Sequence, residues 1–141
     1  NGISRYLFGG FEKCLYPAQK FQSDTERKMA VIIDRDGLRW FKPAKGQFRL
    51  TYRVGLQETP YVPDFVVETT DEIVMVETKA RKELRTPEVV EKSRAAREWC
   101  GHATEHAKQY GAKPWRYALV PHDIVAENMS LAKLAELGQA T

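Results

Sequence analysis

Two cysteines in 141 residues, Cys14 and Cys100, are too few and too far apart to build much. They form no CxxC and no paired Cys/His spacing, which argues against a zinc ribbon and against a secreted disulfide framework. No apolar run approaches the ~20 residues a membrane-spanning helix needs. The opening stretch Asn1-Gly2-Ile3-Ser4-Arg5 has neither the basic region nor the apolar region of an export signal. A cytoplasmic setting with no membrane partner is therefore expected. Internal repeats, low-complexity tracts and Ser/Gly linkers are also missing, and Gly and Pro occur as scattered single punctuation. No GxxxxGK[ST] loop is present, so this stretch is not expected to bind ATP. The first residue is not Met, and the chain is read as a piece excised from a longer protein.

What is present suits one folded domain spanning residues 1–141. Apolar residues make up 43% of the chain and charged residues 29%, and a chain of this length buries enough surface to form a core without staples. Lys and Arg number 22 against 19 Asp and Glu, a net charge of +3. That excess is too small to give a long-range field. Its distribution is more informative. Between Lys79 and Arg97 lie seven basic residues (Lys79, Arg81, Lys82, Arg85, Lys92, Arg94, Arg97) and three acidic ones (Glu83, Glu88, Glu91). A basic segment on a nearly neutral body suits an electrostatic footprint for a polyanion, although a solvated helix face of mixed charge has the same composition.

Residues 1–20 mix aromatics with Gly9-Gly10 and Pro17 and show no sustained period, so an irregular arm with room for a short helix is predicted. Ser23-Asp24-Thr25-Glu26 is a capping box that should start a helix, with Met29, Ala30 and Ile33 on its buried side and Asp36-Gly37 at its end. Leu38–Phe41 reads as a short strand. Gln47–Val54 alternates, with Phe48, Leu50, Tyr52 and Val54 on one face, and reads as a half-buried strand. Tyr61–Glu68 and Ile73–Lys79 form a hairpin near the centre of a sheet. Thr86-Pro87 opens a long helix to about Tyr110, with Val89, Ala96, Cys100, Ala103, Ala107 and Tyr110 on its buried stripe. Trp115–Val120 then returns to the sheet as a βαβ crossover, and Pro121-His122-Asp123 leads into short terminal helices. The expected order is α-β-β-β-α-β, an α/β core with a mixed sheet flanked by helices.

The hairpin fixes a register. A two-residue or a four-residue loop around Thr70-Asp71 places Asp64 opposite Glu77, with Lys79 on the same face. Carboxylates about 5 Å apart repel by roughly 3 kcal/mol at an effective dielectric of 20, so something must compensate. A divalent cation does so, and Mg²⁺ needs only one or two carboxylates plus water and a substrate phosphate. A proton shared between the acids is the other escape. With Mg²⁺ present, phosphodiester hydrolysis has its parts, and Lys79 can hold or polarise the attacking water. Glu26 faces the sheet and is a third candidate acid. Plainer structural readings exist for each: Glu26 closing the capping box, Glu77-Thr78-Lys79 as the solvent end of a strand, Pro63-Asp64 as a turn, Lys92 as a solvated helix residue. His102 and His106 lack the glutamate of an HExxH zinc motif and read as a surface pair.

Taken jointly, a helix carrying Glu26, a strand with Pro63-Asp64, Glu77-Thr78-Lys79 thirteen residues later, then a basic helix and a strand, resemble the PD-(D/E)xK nuclease superfamily. The sequence looks most like the C-terminal endonuclease domain of the restriction subunit of type III restriction-modification enzymes. Lys20-Phe21-Gln22-Ser23 with Glu26, Trp40 and Pro43, Tyr61–Val67, Val76–Lys79, Lys92–Cys100, Lys113-Pro114-Trp115 and Pro121-His122-Asp123 carry that likeness over almost the whole chain. The resemblance implies a restriction-endonuclease-like core and a Mg²⁺ site of Asp64, Glu77 and the backbone carbonyl of Thr78. Lys79 would stand beside the water, with Glu26 as an accessory acid. Lys92, with Arg81, Lys82 and Arg94 on the basic segment, would face double-stranded DNA. It further implies an upstream ATP-driven helicase-like motor and a DNA methyltransferase subunit as partners, neither of them in this stretch. The expected activity is that of a Mg²⁺-dependent DNA endonuclease. The alternative is a nuclease-fold docking domain that binds DNA without cutting it.

Overall fold

Near-continuous runs rich in Val, Ile and aromatic residues, buried on both faces, build the centre of the sheet. The computed structural model describes residues 2–139; Asn1, Ala140 and Thr141, the ends of the expected 1–141 unit, lie outside the described residues. In chain order the elements are β1 (Phe8–Gly9), β2 (Ala18–Gln19), α1 (Asp24–Asp36), β3 (Arg39–Phe41), β4 (Thr51–Val54), β5 (Gln57–Pro60), β6 (Phe65–Glu68), β7 (Ile73–Lys79), α2 (Pro87–Lys108), β8 (Trp115–Pro121) and α3 (Leu131–Gln139). Single 3₁₀ turns lie at Ile3–Arg5, Arg81–Glu83 and His122–Ile124. The main sheet runs β3-β6-β7-β8. Its first three strands are antiparallel, and β8 lies parallel to β7. The fold is thus mixed α/β, and α2 makes the crossover that a parallel neighbour requires.

Period-2 alternation divides the core between the two faces. Val74 and Val76 of β7, with Phe65, Val67, Ala118 and Val120, pack against Met29, Ile32 and Ile33 of α1 and Leu131 and Leu134 of α3. Met75, Tyr117 and Leu119 point the other way, to Val89, Ala96 and Cys100 of α2. Glu77, two residues after Met75, emerges on the α2 side. α1 lies very close to the sheet at its end: a Cβ on Gly37 would sit 2.5 Å from Val67 Cγ2 and 2.9 Å from the Ile33 carbonyl.

The α1 cap forms as the sequence predicts in one half only. Ser23 Oγ accepts from the Glu26 amide at 3.1 Å, but the Glu26 carboxylate accepts from the Gln22 amide, not from Ser23, at 3.3 Å. Ser23→Ala should therefore lower stability by about 1 kcal/mol in urea denaturation, with the melting curve still a single transition.

Three expectations are corrected. The 47–54 strand is shorter and leaves the main sheet: β4 pairs only with β5, in a separate hairpin turned at Gly55-Leu56. Leu50 and Tyr52 are buried as expected, but Val54 lies past the covered part of the hairpin and is exposed. Tyr110 is not on the buried stripe. α2 ends at Lys108, Gly111 takes φ +66°, and the Tyr110 ring turns outward against His106. The 1–20 arm is less irregular than predicted. It holds the β1–β2 pair, a bridge from Cys14 to Trp40, and Phe8 and Phe11 against Phe21.

Candidate active site

Asp64 and Glu77 come together where the central hairpin ends. The ladder pairs Phe65 with Val76 and Glu68 with Ile73, which is the register read from the sequence. It stops one residue short of the acids, so Asp64 is no longer a strand residue. Its carboxylate turns across the strand end instead: Oδ2 accepts from the Thr78 amide at 2.9 Å and from Thr78 Oγ1 at 3.1 Å. A side chain thereby supplies the acceptor that a continued β6 would have offered, as a buried amide requires. Glu77 reciprocates, Oε1 accepting from the Asp64 amide at 3.2 Å. The two acids are thereby tied into the strand end, Asp64 through Thr78 and Glu77 through the Asp64 amide.

Glu77 is 6% exposed. Burial first, then the Asp64 charge, pushes its carboxyl up to about 8, against the opposing pull of Lys79. Lys79 Nζ lies 3.9 Å from Glu77 Oε2, on the same face as the spacing predicts. Lys79 favours the ionised form, and burial opposes it more strongly.

Glu26 reaches the site from the other side of the sheet. It is buried, and burial together with Asp64 raises its carboxyl above the ordinary range. Its partner is Lys42, whose Nζ bonds Glu26 Oε1 and donates to the Asp64 carbonyl at 3.1 Å. The same ammonium lies 4.6 Å from the centre of the Phe65 ring. Glu26 thus touches the site through Lys42, which pins the Asp64 backbone. Lys42 was not singled out from sequence, because a lysine at the end of a strand carries no signal until the helix and the aromatic rings around it are placed. The same is true of Tyr61 and Tyr117, whose buried hydroxyls are 2.9 Å apart beneath Glu77.

The basic candidates separate into two groups. Lys92 stands at the site: its Nζ lies 5.4 Å and 5.6 Å from the ring centres of Tyr52 and Tyr61 and 3.4 Å from Glu88 Oε1, and its charge acts on Glu77. Arg81 is held by both oxygens of Asp123, at 2.5 and 2.9 Å, and Arg94 pairs with Glu91 at 3.2 Å. Lys82 is exposed on the 3₁₀ turn. Much of the basic segment's charge is spent on neighbouring acids. His102 and His106 are exposed on α2.

Among the described residues no three His, Cys, Asp or Glu side chains gather into a group able to hold a metal ion. The fit of a cation therefore rests on two acids. Both offer hard oxygens, and the second of them is a buried carboxyl in want of positive charge, a donor set that suits Mg²⁺ completed by water and a phosphate. Among the described residues no helix is long and apolar enough to cross a membrane. Set against models of protein families and against curated proteins, the sequence matches none, and the functional reading is carried by these side chains and their geometry.

Proposed function

We propose that this domain is a Mg²⁺-dependent DNA endonuclease with a restriction-endonuclease-like core, acting in the cytoplasm as the cutting module of a type III restriction-modification enzyme. The observation that carries this reading is the convergence of Asp64, Glu77 and Lys79 at one end of the central hairpin, with Lys79 Nζ 3.9 Å from Glu77. The type III context, with its helicase-like motor and methyltransferase partner, rests on the sequence likeness alone.

Asp64, Glu77 and the backbone carbonyl of Thr78 are the groups that would hold the cation. Mg²⁺ in that position supplies positive charge for the scissile phosphate and lowers the pKa of water. The chain's own contribution is positioning. Lys79, partly open to solvent, can donate from Nζ to a water and keep it aligned with the phosphate. Lys42 holds the Asp64 carbonyl, and Glu26 keeps Lys42 in place. Lys92, raised on its two tyrosine rings, faces the substrate side as a cation for a phosphate.

Plasmid nicking at low salt with Mg²⁺, compared with EDTA, tests the reading. Cutting only with Mg²⁺ supports it; DNA binding that is equally strong in EDTA with no cutting supports the docking alternative. Lys92→Ala should weaken DNA binding and reduce the slope of log K against log salt by about one unit, measured by fluorescence anisotropy. Arg81→Ala should change the slope less, because Asp123 already neutralises that guanidinium.

A further inference from the structure

The β4–β5 hairpin ends in two apolar side chains that the domain leaves uncovered: Val54 is 46% exposed and Leu56 99%. Its strands pair without a break from Thr51 opposite Pro60 to Val54 opposite Gln57. Gly55 takes φ +65° and Leu56 a negative φ, the Gly-first two-residue turn that matches the twist of the strands. Leu56 is therefore held out on a paired ribbon. The base of the ribbon is fastened beside the acids. The Tyr61 amide donates to the Leu50 carbonyl at 2.8 Å, and the Tyr52 hydroxyl donates to Glu88 Oε1 at 3.0 Å. Lys92 Nζ lies over the rings of both Tyr52 and Tyr61, and Tyr61 leads directly into Asp64. An antiparallel strand rises about 3.4 Å per residue, so the tip stands about 10 Å beyond Tyr52.

Charge indicates the partner. Residues 43–60 hold Lys45, Arg49 and Arg53 against Glu58 alone. Arg53 stands 3.8 Å from Glu58, whereas Lys45 and Arg49 are exposed and neither meets an acid among the described residues. Two apolar side chains are too small a patch to hold a protein partner by themselves. A basic stem with an apolar tip suits duplex DNA instead: its phosphates take the cations, and its major groove, about 12 Å wide, admits a two-stranded ribbon. The apolar group that such a tip meets on the groove floor is the thymine methyl. We infer that the β4–β5 hairpin enters the major groove beside the scissile phosphate, with Leu56 against thymine methyl groups and Arg49 on the sugar-phosphate backbone. This contact rests on the proposed nuclease reading and gives the site a preference for A·T pairs next to the cut.

Fluorescence anisotropy on the whole chain tests it, with a short duplex of A·T pairs and the same duplex carrying uracil for thymine, which removes only the methyl groups. Ca²⁺ replaces Mg²⁺ so that binding is read apart from cutting. The parent should bind the thymine duplex about fourfold more tightly, the scale of one buried methyl group. Leu56→Ser should bind both duplexes alike and, its side chain being uncovered, melt at the parent temperature. Arg49→Ala should weaken both equally, keep the preference and reduce the salt slope by about one unit. A parent that binds the two duplexes equally, a Leu56→Ser chain that keeps the preference, or one that melts well below the parent overturns the inference. If such a parent still nicks plasmid with Mg²⁺, the nuclease reading stands without the groove contact. Preference for thymine with no nicking overturns the nuclease reading alone and leaves the hairpin a contact of the docking alternative. A chain that binds neither duplex overturns both.

Discussion

Asp64→Asn and Lys79→Ala should each lower Mg²⁺-dependent nicking by about 10³-fold, the scale of a lost acid–base or positioning group, with the fold retained. The choice of Asn follows from the hydrogen bonds. Asp64 Oδ2 accepts from the Thr78 amide and hydroxyl, and an Asn carbonyl can keep those contacts while removing the charge. Alanine would strand the Thr78 amide and mix a structural loss with a chemical one. Lys79 is less entangled, its ammonium being partly exposed and 3.9 Å from its acid, so truncation should leave the melting temperature within a few degrees of the parent. Nicking by either variant within tenfold of the parent would place the chemistry elsewhere.

The second large effect is on stability in the absence of metal. The Glu77 carboxyl is pushed up to about 8 in the folded chain, whereas its ordinary value is 4.5. The folded state therefore keeps a proton that the unfolded chain has released. The stabilisation is fully present below about pH 4.5 and is lost as pH rises through about 8. Across that window the metal-free protein should lose on the order of a few kcal/mol. Glu26, also raised by burial, adds a change of the same sign. Glu77→Gln should flatten most of the slope and melt above the parent at pH 9 in EDTA. Denaturation series at pH 5, 7 and 9 measure both; an unchanged slope in Glu77→Gln would assign the pH dependence to other groups.

The hairpin register was legible because a short loop around Thr70-Asp71 leaves one pairing frame, and that frame sets Asp64 against Glu77. The α1 start was legible in Ser23, and the crossover in the long helix between Lys79 and Trp115. Periodicity cannot say which partner a strand takes. Gln47–Val54 alternates as a half-buried strand should, yet its covered side chains face α2 from a separate hairpin. The Asp64–Glu77 pair was found in sequence, but not that Asp64 would cap the Thr78 amide and Glu77 the Asp64 amide, or that burial would outweigh Lys79. Those outcomes depend on depth. Lys42, Tyr61 and Tyr117 escaped notice for a related reason: their meaning lies in neighbours distant in sequence, Glu26 for the lysine and, for each phenol, the other phenol.

β3 and β6 are adjacent antiparallel strands, and Phe41 pairs directly with Val66, so a tight turn would have sufficed to join them. The chain instead makes an excursion from residue 42 to residue 64, containing the β4–β5 hairpin. Lys42 and Asp64, its two ends, are fastened together by the 3.1 Å bond from Nζ to the carbonyl. The excursion is a closed loop hung from a fixed clasp. Lengthening a loop whose ends are already joined adds little entropic cost, growing only with the logarithm of its length. Its outer portion around Gly55-Leu56 is therefore the place where residues can be inserted or exchanged to reshape that edge of the domain, while Asp64 at the clasp keeps its geometry.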